Sequence, residues 1–93
     1  MAFQRMDRVM VPCRVSPGMF DKERVAGVST LGEEDTYLFV HETKISEIVG
    51  QGFFVAGEIL EEGDRVILIR FCGSAGFVTI KVSKEGVRLS TGG

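Results

Sequence analysis

Histidine and cysteine are scarce in this 93-residue chain, and their scarcity argues against several classes of site. The two cysteines, Cys13 and Cys72, form no C-x-x-C pair, and the single histidine, His41, does not complete a zinc site with them at any usual spacing. A secreted disulfide scaffold carries more cysteines at closer spacing. We therefore predict two reduced thiols packed as small apolar side chains, without a structural disulfide, a bound metal or another cofactor.

Basic charge is also in short supply. Eleven lysines and arginines face thirteen acidic residues, which gives a net charge of −2. Proteins dedicated to nucleic-acid binding usually have a strongly positive balance, because phosphate neutralisation supplies most of their affinity. The acidic clusters Glu33-Glu34-Asp35 and Glu61-Glu62-Gly63-Asp64 lie in predicted turns and lack the alternating ligand pattern of a calcium loop.

No long apolar run occurs, and the segment Met1–Met6 does not resemble the apolar core of a signal peptide. We expect no membrane contact and a cytoplasmic location. The hydrophobic fraction of 44% suffices for one core in a chain of this length. The sequence predicts a single β domain over residues 1–93, with residues 1–6 and 90–93 as loose termini.

Apolar residues recur mainly with a period of two, which is typical of half-buried strands. In Val9–Val15 the alternation also points Cys13 inward. Turn residues recur about every 8–12 positions, as in sandwiches and barrels. Only the stretch 43–50 has helical spacing, so we predict an all-β fold: a small antiparallel, Src-homology-like barrel of five to seven short strands, with at most one short helix near residues 43–50. The predicted strands are Val9–Val15, Arg24–Thr30, Thr36–His41, Phe53–Leu60, Arg65–Phe71, Phe77–Val82 and Val87–Leu89.

Three local resemblances accompany this pattern. Gly63-Asp64-Arg65-Val66, followed by Gly73 and Gly76, is similar to the opening of KOW-type small barrels. The segment 11–20, together with Tyr37-Leu38-Phe39-Val40, resembles small bacterial proteins of unknown function, some of which are carried on mobile, integron-type gene cassettes. That resemblance implies a compact β domain and no catalytic residue. Gly92-Gly93 resembles the end of ubiquitin-like sulfur carriers, but the long helix that these carriers place after the first hairpin is missing.

Exposed aromatic residues provide the first functional hypothesis. The sequence has seven phenylalanines and four methionines, more than the inward positions of its strands accommodate. We predict an interaction surface that includes Phe20, Phe53 and Phe77, and self-association as a homodimer that covers apolar surface and an open strand edge. The leading expectation is a non-enzymatic binding module whose partner is a second copy, another protein or a peptide.

A basic stripe provides the second hypothesis. Arg8, Arg14, Lys81 and Arg88 all project outward if the apolar alternation sets the buried faces. A row of cations beside Phe77 is the footprint of single-strand nucleic-acid binding, although ordinary solvated charge is the favoured interpretation.

Catalysis is the third hypothesis. It would have His41 activate the thiol of Cys72, with the backbone N–H groups of the turn Gly73-Ser74-Ala75-Gly76 stabilising an oxyanion. No sequence spacing sets His41 beside Cys72, so we assign no catalytic residue.

Overall fold

The computed structural model describes residues 7–31 and 34–90. Its eight strands are β1 (Arg8–Pro17), β2 (Glu23–Val28), β3 (Thr36–His41), β4 (Ile45–Ile48), β5 (Gly52–Glu62), β6 (Val66–Gly73), β7 (Gly76–Ser83) and β8 (Arg88–Leu89). Four predictions fall outside the described residues: the loose segment 1–6, Gly32 and Glu33 in the predicted turn, the tail after Ser90, and the Gly92-Gly93 resemblance.

The strands form one antiparallel sheet in the order β3-β2-β1-β5-β6-β7, with β4 beside β5 and β8 beside β1. The sheet curls into a nearly closed barrel, because β1 bends between two partners. Its first half, Arg8–Cys13, pairs with β5, whereas Arg14–Pro17 pairs with β2. The prediction of an all-β, small antiparallel barrel is confirmed.

Alternation sets the core. Along β6 the inward side chains Ile67, Ile69 and Phe71 are fully buried, and their neighbours on the outer face are partly or fully exposed. Gly57 on β5 lies against this row, where an added Cβ would come within 2.6 Å of Ile69 Cγ2. A side chain at this position therefore has no room, and the glycine allows β5 and β6 to pack closely.

The segment predicted to hold at most one short helix is mostly strand. A single turn of 3₁₀ helix spans Glu42–Lys44, and Ile45–Ile48 then pairs with β5 as β4. A helix of two turns is marginal in water, whereas pairing with β5 satisfies backbone groups and suits the β-branched Ile45 and Ile48. We predicted five to seven strands, and with β4 the described residues form eight.

The two thiols lie in different environments. Both cysteines are free. Cys13 is half-buried against the core, and desolvation raises its pKa from 9.0 to about 11. The prediction that Cys72 is packed as a small apolar residue is wrong, because its even position in β6 places it on the outer, exposed face.

Candidate functional site: the seam between β3 and β7

The barrel has an opening between its two end strands, β3 and β7. In the part of the chain that the structure describes, no β-ladder joins these strands. The barrel is held here by Ser74 N, which donates to Phe39 O at 2.6 Å from the turn between β6 and β7. Among residues 7–31 and 34–90, no strand pairs with the outer edge of β7, which is therefore an open strand edge.

Exposed apolar side chains line this opening, which we call the seam: Leu31, Tyr37, Phe39, Phe77 and Val78. Tyr37 packs over Gly27, where an added Cβ would lie 3.1 Å from the tyrosine ring. Phe77 is 65% exposed at the start of β7. Large apolar side chains collected in one place mark an interaction surface more strongly than the same residues scattered singly.

Val78 shows that the seam opens toward the core. Its register partner is Phe71, so both side chains lie on the inward face of the sheet. Phe71 is 0% exposed, yet Val78 is 38% exposed. Ile80 and Val82, the other inward residues of β7, are buried, so the opening toward solvent is confined to the start of this strand. It lines both clefts of the seam, which have volumes of about 130 and 330 Å³.

The three phenylalanines of the predicted interaction surface are all exposed but lie on separate elements. Phe20 lies in the turn between β1 and β2, and Phe53 lies on β5 between Cys13 and Glu47 of the neighbouring strands. Phe77 is the member of this set that lines the seam. Tyr37 and Phe39 were missed by sequence reasoning, although their odd positions in β3 opposite the buried Leu38 and Val40 carried the signal.

The four cations of the predicted stripe are all exposed, but they do not follow one line. Arg8 and Arg88 lie on adjacent strands, and Arg88 stands 5.6 Å from the centre of the Phe54 ring. Arg14 lies on the other half of β1 and forms an ion pair with Asp35. Lys81 is on β7, which β5 and β6 separate from β1. The stripe stays a prediction: Arg14 lies six positions along β1 from Arg8, and Lys81 lies on a strand that does not adjoin β1.

A different set of cations does share a cleft on the outer face. This basic cleft is lined by Arg8, Lys44, Ala56, Gly57, Glu58, Arg70, Cys72 and Ser90. The guanidinium of Arg70 lies 4.7 Å from the centre of the Phe77 ring, so Arg70 is the cation beside Phe77. Sequence reasoning missed it, although the turn 73–76 sets Arg70 opposite Thr79 and therefore diagonal to Phe77.

The groups of the catalytic hypothesis have other partners. Thr43 N donates to His41 Nδ1 at 3.2 Å, so the imidazole caps the 3₁₀ turn. Ser74 N, one of the proposed oxyanion donors, is bonded to Phe39 O. Cys72 lines the basic cleft, and His41 does not. The catalytic hypothesis stays untested, and we assign neither residue a catalytic role.

The acidic clusters are used in ion pairs. Asp35 pairs with Arg14, and Glu62 Oε2 lies 2.6 Å from Lys84 Nζ. Within residues 7–31 and 34–90, no group of three or more His, Cys, Asp or Glu side chains is placed to hold a metal ion. No helix in the same ranges is long and apolar enough to cross a membrane.

No protein-family model, curated protein or solved structure matches this chain. The resemblances to KOW-type barrels and to proteins of mobile gene cassettes therefore stay hypotheses.

Proposed function

We propose that this protein is a small, non-enzymatic interaction module that self-associates as a homodimer through the outer edge of β7. The observation that carries the proposal is the exposure of Val78, an inward-facing residue beside an unpaired strand edge. An open edge with apolar side chains favours the addition of another strand, which supplies backbone hydrogen bonds and covers the apolar surface together.

The sequence of β7 is complementary to itself. If two copies pair antiparallel about a two-fold axis at Thr79, Phe77 of each copy faces Lys81 of the other on the outer face. On the inner face the same register sets Val78 opposite Ile80. The pairs are thus aromatic with cation, threonine with threonine, and apolar with apolar, all of which are favourable cross-strand pairs.

This self-complementarity is why we assign the edge to a second copy. A two-fold interface needs the same patch to fit itself. The register about Thr79 meets that condition, because both kinds of outward pair, Phe77 with Lys81 and Thr79 with Thr79, are favourable. The net charge of −2 adds little repulsion between copies. A cytoplasmic location remains part of the proposal.

Sedimentation equilibrium tests the proposal. We expect the wild-type protein to form a dimer at tens of micromolar, about the range where weak edge-strand contacts act. Thr79→Glu places two like charges opposite each other on the axis, and within one copy the new carboxylate faces Arg70, so the monomer should tolerate it. The variant should be monomeric at that concentration. Val49→Glu is the matched control, because Val49 is 94% exposed in the turn between β4 and β5.

A charge-swap pair tests the register itself. Phe77→Lys sets a lysine opposite Lys81 in both outer pairs and should dissociate the dimer. Adding Lys81→Phe restores one aromatic and one cation in each pair and should recover it. A wild-type monomer at several hundred micromolar, or equal effects of Thr79→Glu and Val49→Glu, overturns the proposal. Phe20→Lys and Phe53→Lys show whether the interface extends beyond the seam.

A further inference from the structure

We infer that the basic cleft is a binding site for a phosphate group. Three cations, Arg8, Lys44 and Arg70, line a cleft of about 230 Å³ on the outer face of the barrel, and Glu58 is the carboxylate among its lining residues. The local formal charge is positive in a chain whose net charge is −2. All three cations belong to one copy, so the site does not depend on self-association.

The strand register determines where two of the three cations lie. Arg8 and Arg70 are the partners of Glu58 on its two sides, so the three residues form one row across β1, β5 and β6. Neighbouring strands are about 4.8 Å apart, which puts the two arginines about 10 Å from each other at the backbone. Their side chains therefore approach one anion from opposite sides, and Lys44 adds a third cation from the turn before β4.

Arg70 is prepared to receive an acceptor. The Phe77 ring covers its guanidinium, and Nη2 donates to Glu58 Oε1 at 3.3 Å. Its Nε is buried and has no hydrogen-bond partner among the described residues. A buried N–H without an acceptor is costly, and a phosphate oxygen would satisfy it. The bridge to Glu58 is long and about one-third exposed, so an incoming dianion competes with it readily.

Arg8 and Lys44 have free charges. Within the described ranges, neither forms an ion pair with a carboxylate. Guanidinium groups match the geometry of phosphate oxygens, and an ammonium adds a point charge. The cleft holds a phosphoryl or pyrophosphoryl group rather than a whole drug-sized molecule, whose sites begin near 300 Å³. The phosphate is carried by a small anion or by the backbone of a single-stranded oligonucleotide.

NMR titration of the ¹⁵N-labelled protein tests the site, with pyrophosphate and hexathymidylate as separate probes at low ionic strength. The Arg70 Nε–H signal reports directly on the unpaired donor and should shift downfield on saturation. A shift with both probes, with weaker binding of pyrophosphate, identifies a phosphodiester backbone as the source. A shift with pyrophosphate alone identifies a small anion. No shift of that signal with either probe at about 20 mM overturns the inference, because phosphate contacts are strongest at low salt.

Four variants distinguish binding at this cleft from a general effect of the protein's charge. Arg8→Gln and Lys44→Gln should each weaken binding about tenfold, the loss of one charged contact. Lys81→Gln removes the same charge from an exposed position outside the cleft and should change affinity less than about twofold. Arg70→Lys keeps the charge but removes Nε, and should weaken binding at least about fivefold. Equal losses in the three charge-removing variants, with no loss in Arg70→Lys and a native spectrum for each, would show a diffuse charge effect and overturn the site.

Discussion

The wall formed by β1, β5 and β6 and the seam between β3 and β7 follow the same alternation but differ in burial. In the wall, strands lie on both sides of each residue pair, and the inward Val9, Val55 and Ile69 are 0% exposed. In the seam, the inward Val78 is open to solvent. Alternation determines which way a side chain points, and local cover determines whether it is buried, since Ile80 and Val82 of the same strand are buried while Val78 is not. The wall therefore carries stability, and the seam is available for binding.

The largest effect should separate Phe71 in the wall from Phe77 in the seam. Phe71→Ala should lower the free energy of unfolding by about 3–5 kcal/mol, because it removes a fully buried ring and leaves a cavity. Phe77→Ala should cost less than about 1 kcal/mol, since its ring is mostly exposed. Denaturant unfolding followed by circular dichroism measures both at a concentration where the protein is monomeric. Similar losses in the two variants would mean that the seam is part of the core.

The wall and the seam should also differ in how well they tolerate a methyl group added at a glycine. Gly57→Ala should cost about 1–3 kcal/mol, because the new methyl group meets the buried Ile69 and Phe71 side chains. Gly27→Ala should cost less, since the added Cβ meets the ring of the exposed Tyr37, which has room to move away. The unfolding midpoints of the two variants, at equal m-values, provide the measurement. A larger loss at Gly27 would show that Tyr37 is held in place.

This contrast also explains which features were predictable from sequence. Period-two patterning predicted seven of the strands and the exposure of Arg8, Arg14, Lys81 and Arg88, because these depend on local alternation alone. Strand order was not predictable, and it separates Lys81 from Arg8 and brings Arg70 and Lys44 to the same cleft. The helical spacing of Ile45, Ile48 and Val49 was misleading, because the free edge of β5 offered that segment backbone partners.

The pKa of Cys13 gives a pH test at the edge of the core. Desolvation raises this pKa from 9.0 to about 11 in the folded protein, so below pH 9 the thiol is protonated in both states and has no effect. As pH rises from 9 to 11, the unfolded chain releases the proton first, and stability falls. The loss should be well under the ~2.7 kcal/mol equivalent to two pKa units, because Cys13 is only half-buried.

Subtracting the same pH series for Cys13→Ala isolates the contribution of this thiol. Alkylation at pH 8 tests the burial of Cys13 independently, since the exposed Cys72 should react much faster than Cys13. A flat difference between wild type and Cys13→Ala from pH 9 to 11 would place the thiol in water.

The smallest effects should come from ion pairs, and here too the two regions should differ. Lys84 Nζ and Glu62 Oε2 are 2.6 Å apart beside the wall, and the Glu62 side chain is mostly buried. Arg24 and Glu42 are 3.2 Å apart near the end of β3, and both side chains are more exposed. Arg24 also donates to the carbonyls of Asp21 and Glu23, so it keeps two partners when Glu42 is removed.

Double-mutant cycles to Gln at both members of each pair isolate the two couplings. We expect about 0.5–1 kcal/mol for Lys84 with Glu62 and less than about 0.5 kcal/mol for Arg24 with Glu42, because solvent screens the second pair more strongly. Raising the salt concentration to 1 M should shrink both values, and the second should vanish first. A stronger coupling for the Arg24 pair would contradict this ranking. It would mean that fixing the guanidinium on backbone carbonyls strengthens an ion pair more than partial burial does.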